Sequence, residues 1–96
     1  MRVTFHPDAR RELTEAAEYY EGRLAGLGLD LNVEVERTAA LLSQTPGLGV
    51  SLDGRHRRFP VQRFPFALIY REDRESLVVV AVAHKRRRPG YWVGRT

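Results

Sequence analysis

An α+β fold is what this 96-residue sequence predicts, in the order β-α-α-β-β-β, with a helical hairpin packed on a small, mainly antiparallel sheet. Three observations carry that prediction. Two consecutive segments repeat apolar residues at steps of three and four, the period of a half-buried helix. Phe64, Phe66, Leu68 and Tyr70 alternate with Pro65, Ala67 and Ile69, the period of a strand. Leu77 to Ala83 is apolar throughout, as in a strand buried on both faces.

Taken in order, Arg2-Val3-Thr4-Phe5 reads as a short opening strand stopped by Pro7. Proline suits the first helical position, where its missing N–H is not needed, and Asp8 complements the dipole of the first turn. Ala9, Leu13, Ala16, Ala17, Tyr20 and Leu24 then form one stripe, with Arg11, Glu12, Glu15, Glu18 and Arg23 mostly on the other side. Gly26 and Gly28 interrupt the pattern and mark a turn. A second helix is expected from about Leu29 to Ser43, burying Leu31, Val35, Thr38, Ala39 and Leu42 and leaving Glu34 and Arg37 outside. Thr45-Pro46-Gly47-Leu48-Gly49 ends it. Helices joined so tightly should pair as an antiparallel hairpin.

Three strands should follow. Arg57-Arg58-Phe59-Pro60-Val61 carries an internal proline, which demotes it to a sheet edge. The aromatic alternation supplies the next strand, and Arg71-Glu72-Asp73-Arg74-Glu75 reads as a charged turn before Leu77–Ala83. Such short connections make an antiparallel meander. No repeat or linker divides the chain, so residues 1–96 are expected to form a single domain.

Composition narrows the function classes. With no cysteine there is no disulfide framework, no cysteine-ligated zinc and no thiolate catalyst. The opening Met1–Pro7 lacks the apolar run of a signal peptide, and no stretch approaches the roughly 18–20 apolar residues of a membrane span. These features predict a soluble protein, and the absence of cysteine fits a reducing cytosol. Charge is divided unevenly: residues 1–50 hold five arginines against eight acids, a net of −3, whereas residues 51–96 hold eleven cations against four acids, a net of +7. Fifteen of the sixteen cations are arginine, whose planar fork suits bidentate contacts with carboxylate or phosphate. An acidic helical half and a basic sheet half are expected.

No motif points to a cofactor or metal. His6, His56 and His84 have no ligand spacing, Gly47-Leu48-Gly49 lacks the lysine of a phosphate loop, and no serine stands in a nucleophile elbow. The positive signal is the basic end of the sheet. Arg57, Arg58 and Arg63 bracket the first meander strand, while His84, Lys85, Arg86 and Arg87 leave the last, so aligned strand ends would bring them together. Such a site would bind phosphates, stabilise charge at phosphorus or receive an acidic protein segment. His84 is the candidate general acid or base, and Tyr91 and Trp92 offer flat surfaces for partner contact. Tyr20 fits plain packing. Tyr19, which lies off the stripe, Leu27 and Leu29 are candidates for an exposed apolar groove on the hairpin.

These pieces also occur in a recognisable order: Phe5-His6-Pro7 with Glu12-Leu13, Glu15-Ala16 and Tyr19-Tyr20; Leu27-Gly28-Leu29; Arg58-Phe59-Pro60; Arg63-Phe64-Pro65-Phe66 and Ile69-Tyr70; and Ala81-Val82-Ala83-His84 with Arg86-Arg87 and Pro89-Gly90-Tyr91-Trp92. In this the chain resembles the RelE/ParE superfamily of toxins from bacterial type II toxin–antitoxin modules, specifically its ParE or plasmid-stabilisation branch. The resemblance implies a cytoplasmic growth inhibitor without cofactor, held in a hetero-oligomer by a cognate antitoxin that would bind around Tyr19, Tyr20, Leu27 and Leu29. ParE-like members poison DNA gyrase, and Arg57, Arg58, Arg63, Lys85, Arg86, Arg87, Tyr91 and Trp92 would form the target surface. RelE-like members instead cut mRNA in the ribosome; Arg63, His84, Arg86 and Tyr91 would then be the catalytic candidates. A basic binding module without toxicity is the third reading.

Overall fold

Pro7 starts the first helix where the sequence places it. In the computed structural model, which describes residues 1–96, strand β1 (Arg2–Phe5) leads directly into helix α1 (Pro7–Arg23). His6 caps that helix: its Nδ1 accepts the Asp8 backbone N–H at 3.0 Å, satisfying one donor of the open first turn. Ala9, Leu13 and Ala17 are buried, with Ala16 and Tyr20 packed beside them. Leu24 departs from the expected stripe. It is the C-cap residue in extended conformation, so its side chain turns away from the helix face and is exposed.

Helix α2 (Leu27–Gln44) begins two residues earlier than expected, because of the two glycines only Gly26 lies in the turn, with Leu24 and Ala25. Gly26 adopts a φ of +91°, while Gly28 is helical. The Glu21 carboxylate accepts the N–H groups of Gly26 (2.9 Å) and Gly28 (3.0 Å), serving the new helix end from the old one. Gly28 is buried where the helices cross, and a Cβ there would collide with the Ala17 carbonyl oxygen. Leu31, Val35, Thr38, Ala39 and Leu42 are buried as the periodicity requires. Glu34, expected outside, is also buried; Arg37 and Arg63 reach its carboxylate at 3.6 and 3.7 Å.

The sheet contains β2 (Val50–Ser51), β3 (Arg57–Pro60), β4 (Phe66–Asp73) and β5 (Ser76–His84), in the spatial order β1-β5-β4-β3-β2. Its β1–β5 pair is parallel and the rest are antiparallel, so the sheet is mainly antiparallel as read from sequence. β3 is not the outermost strand: Val50 and Ser51 pair with Arg58 and Arg57. That cover stops short of Pro60, which keeps the free edge a proline needs. The charged turn shrinks to Arg74-Glu75, with Arg74 at φ +58°, because Arg71, Glu72 and Asp73 continue β4.

A β-bulge explains how β5 serves two cores. Ile69 pairs with Ala81 but Tyr70 pairs with Val79, leaving Val80 as the extra residue. The resulting phase shift puts Leu77, Val79 and Val82 under the helices with Leu13, Leu31 and Leu68. Val80, Ala81 and Ala83 face the other way with Ile69, beneath Trp92. The strand is therefore buried on both faces. Within the main core, the Tyr70 hydroxyl donates to the Pro46 carbonyl (2.6 Å) and accepts the Gly49 N–H (2.9 Å), and burial raises its pKa.

Candidate basic interface

Antiparallel pairing of Phe66 with His84 puts the exit of β5 beside the entrance of β4. The Lys85 N–H donates to the Pro65 carbonyl at 2.9 Å, fixing where the basic run starts. The chain then turns through Gly90 (φ +77°) and lays Trp92 on the sheet face opposite the helices. Two grooves flank this crossing. The one on the helix side, about 450 Å³, includes Tyr19, Phe66, His84, Arg87 and Tyr91. The other, about 550 Å³, has Ile69 and Trp92 at its floor and Arg58, Lys85, Arg87 and Arg88 around it.

The crossing is tied to α1 by a carboxylate. β1 ends at Phe5 while β5 continues to His84, so the upper edge of β5 lacks a strand partner. Side chains take that place: Glu12 Oε1 accepts the Val82 N–H (3.0 Å), and Arg95 Nη1 donates to the Val80 carbonyl (3.1 Å). Arg95 also grips both Glu12 oxygens at 2.9 Å, and the Tyr91 hydroxyl donates to Glu12 Oε2 at 2.8 Å. Burial and the Glu12 bond push the Tyr91 phenol far above its ordinary pKa, so it stays protonated. The same carboxylate raises the pKa of Arg95 and keeps it charged.

The residues singled out in the sequence do not all gather in one place. Arg58, Lys85 and Arg87 share the rim of the second groove. Arg86 is exposed, and its backbone N–H donates to His84 Nδ1 at 3.0 Å, which leaves Nε2 as the free imidazole nitrogen. Arg57 does not join them: its Nη1 is committed to the Gly49 carbonyl at 2.8 Å. Nor does Arg63, which faces Asp30 and Glu34 on α2. Its residue has φ +72°, and this backbone turn after β3 carries the side chain toward the helix. Arg63, His84, Arg86 and Tyr91 are thus not one constellation. Arg87 stacks over the Tyr91 ring at 3.9 Å from its centroid. Trp92 is 7% exposed and rests against His56 (centroids 4.7 Å apart), so it supports the groove instead of projecting from it.

On the hairpin, Tyr19 (59% exposed) and Leu29 (66%) are open to solvent. Tyr20 packs edge-on against Phe64 and Phe66, and Leu27 packs partly into the core. Leu29 is accompanied on the solvent side of α2 by Val33 and Leu41, which sequence reading passed over. Glu12 and Arg95 were missed as site residues as well. Periodicity assigns Glu12 to solvent, and no local pattern announces a partner in the last residues of the chain. Arg88 was legible as part of the basic run.

No helix is long and apolar enough to cross a membrane, and no three His, Asp or Glu side chains gather as a metal site. Against known proteins, residues 3–89 match the family described as the ParE toxin of the type II toxin–antitoxin system parDE. Tyr91, Trp92 and Arg95 lie beyond that stretch. Among solved structures, the chain is similar to one titled "Chromosomal ParDE TA system from P. aeruginosa", with 17% identity, a TM-score of 0.77, and 88% of this chain and 95% of the other covered. At that identity the likeness speaks for the fold. No curated protein sequence matches the chain.

Proposed function

The chain belongs to the ParE toxin family of type II toxin–antitoxin systems, and from that premise we propose that it arrests bacterial growth by binding DNA gyrase, without cutting a nucleic acid itself. The observation that carries this reading is the rim of cations at the exit of β5. Lys85, Arg86, Arg87, Arg88 and neighbouring Arg58 are all exposed, and none has an acidic partner. Unpaired charge concentrated at one place is a repulsive arrangement that an anionic partner relieves. Acid–base catalysis finds less support there: the Tyr91 hydroxyl is committed to Glu12 and Arg63 lies toward α2.

In this reading the single domain 1–96 works in the cytoplasm as the toxin of a hetero-oligomer. The cognate antitoxin covers the hairpin, using Tyr19 and the Leu29, Val33 and Leu41 side of α2 as apolar contacts. A ribosome-dependent endoribonuclease is the second reading, favoured by one observation: His84, Tyr91 and Arg87 line the same groove. Incubating purified protein with gyrase and supercoiled plasmid is the test, beside translating ribosomes whose transcript ends are mapped. Accumulated gyrase-cleaved DNA with intact transcripts is expected. Codon-phased cuts that vanish in His84→Ala would establish the nuclease instead, and absence of growth arrest on expression would leave a non-toxic binding module.

A further inference from the structure

The groove beneath the basic rim has the chemistry of a peptide site. Its floor is apolar, formed by Ile69 and Trp92, and exposed Leu52 and Val93 stand at its border. Arg58, Lys85, Arg87 and Arg88 surround it without an ion pair among them. The one acid there, Asp53, already accepts the backbone N–H groups of Arg55 (2.9 Å) and His56 (2.7 Å) and lies 3.0 Å from His56 Nδ1. It is engaged in its own loop and leaves the rim unneutralised. A ligand that complements this lining is anionic, with an apolar portion.

Between the two anionic polymers, the rings decide. Single-stranded nucleic acid gains about 1–3 kcal/mol for each base stacked on an aromatic side chain. Here the Tyr91 ring already carries Arg87 at 3.9 Å and Arg95 at 5.1 Å, and Trp92 is packed between the sheet and His56. Trp92 is closed to stacking, and Tyr91 is already engaged by two guanidiniums. A volume of about 550 Å³ instead accommodates an aliphatic side chain and a few residues of backbone.

We propose that this groove docks an acidic peptide segment of the toxin's target, with an aliphatic anchor on the Ile69–Trp92 floor and carboxylates on Arg58, Lys85, Arg87 and Arg88. It rests on the reading of the basic rim as the target surface and adds the chemistry of what the rim recognises.

Three fluorescein-labelled probes test it by anisotropy at fixed salt: the peptide DEDLLDED, its anchor-free counterpart DEDSSDED, and an octamer of deoxythymidine. Burying the leucines should make the first peptide bind roughly tenfold more tightly than the second. It should also outbind the oligonucleotide, and the exposed-site double variant Arg58→Ala/Arg88→Ala should weaken it at least about tenfold. Equal binding of the two peptides, tighter binding of the oligonucleotide, or indifference to the double variant would each overturn the proposal. A gyrase cleavage assay on the same samples separates the two readings. Peptide binding by a protein that never poisons gyrase sinks the gyrase assignment and keeps the groove; gyrase poisoning without peptide binding does the reverse.

Discussion

Glu12 and Arg95, 83 positions apart, form a two-pronged ion pair that completes the unpaired edge of β5. The carboxylate receives the Val82 N–H and the guanidinium reaches the Val80 carbonyl, so two backbone groups freed where β1 ends find partners in side chains. The same pair anchors Tyr91, on which Arg87 stacks. Helix α1, the sheet edge and the basic crossing thus meet at one carboxylate.

Glu12→Ala should therefore cost about 3 kcal/mol of unfolding free energy, the low end of the range for breaking a buried ion pair, because this pair is partly exposed. Urea denaturation followed by far-UV circular dichroism measures it. Glu12→Gln, which can still accept the Val82 N–H, should lose less. A loss below about 0.5 kcal/mol for the alanine variant, the level of an ordinary surface change, would mean the pair carries no structural weight.

Gly49 and Tyr70 should behave as a coupled pair. A Cβ at Gly49 would stand 2.5 Å from the Tyr70 hydroxyl oxygen and 2.9 Å from its ring, so Gly49→Ala should cost about 1–3 kcal/mol by overpacking. Tyr70→Phe strands the Gly49 N–H and the Pro46 carbonyl, at about 1–3 kcal/mol. Removing the hydroxyl also relieves the nearest clash. The double variant should thus lose less than the sum of the single ones, and strict additivity in a double-mutant cycle would refute the coupling.

Asp53 gives the loop before β3 a pH dependence. Hydrogen bonds from the His56 and Arg55 backbone hold its carboxyl down at about 2, against an ordinary 3.8. A depressed folded-state pKa contributes stability above the unfolded value and loses it as pH falls through the folded one. Asp53→Asn should therefore melt lower than wild type at neutral pH, and the gap should close between pH 3.8 and about 2. A gap that stays constant across that window would exclude the carboxylate as its source.

Arg71 is buried with its Nε unpartnered, and its Nη2 makes only a 3.4 Å contact to the Thr96 oxygen. Taking such a group out of water is costly when its donors go unmet. Arg71→Met should leave stability unchanged or raise it by up to about 1 kcal/mol. A clear loss in thermal denaturation would show that the guanidinium is satisfied in a way these contacts do not reveal.

Arg63 and Arg86 should separate in function. The exposed Arg63 pairs with Asp30 and Glu34, so Arg63→Lys should shift stability by less than about 1 kcal/mol and leave the proposed gyrase inhibition intact. Arg86→Lys keeps the charge but loses the planar fork, and should weaken inhibition with folding unchanged. Growth arrest at matched protein levels reads both, and the opposite ranking would relocate the target surface toward α2.

What the sequence disclosed follows the reach of its patterns. The stripe Ala9, Leu13, Ala17 and the set Leu31, Val35, Ala39, Leu42 repeat within a few residues, so periodicity finds them and with them both helices. Glu12 and Glu34 obey the same periodicity at the flank of a helix, yet each is drawn inward by an arginine far away in the chain. Charge alone predicts solvent for both. Arg71 was read into a turn because five charged residues in a row look like a loop; its strand pairing with Val78 is a tertiary fact. Trp92 reads as a partner-contact surface for a similar reason, since the cations before it hide the apolar sheet face it covers.

The register of the parallel pair sets an order on synthesis. Arg2 pairs with Ser76 and Phe5 with Val79, and β5 lies between β1 and β4. During translation the first strand and both helices are made well before the strand that joins them to the meander. At about 5–20 residues per second, the interval between Arg2 and Ser76 lasts about 4–15 s. Until then the apolar sides of α1 and α2 have no completed sheet to pack on, and the nascent chain exposes the surfaces that aggregate or recruit chaperones. A fragment released before β5 lacks the strand between β1 and β4, so messages truncated ahead of Ser76 should yield chains that are cleared by proteolysis instead of accumulating.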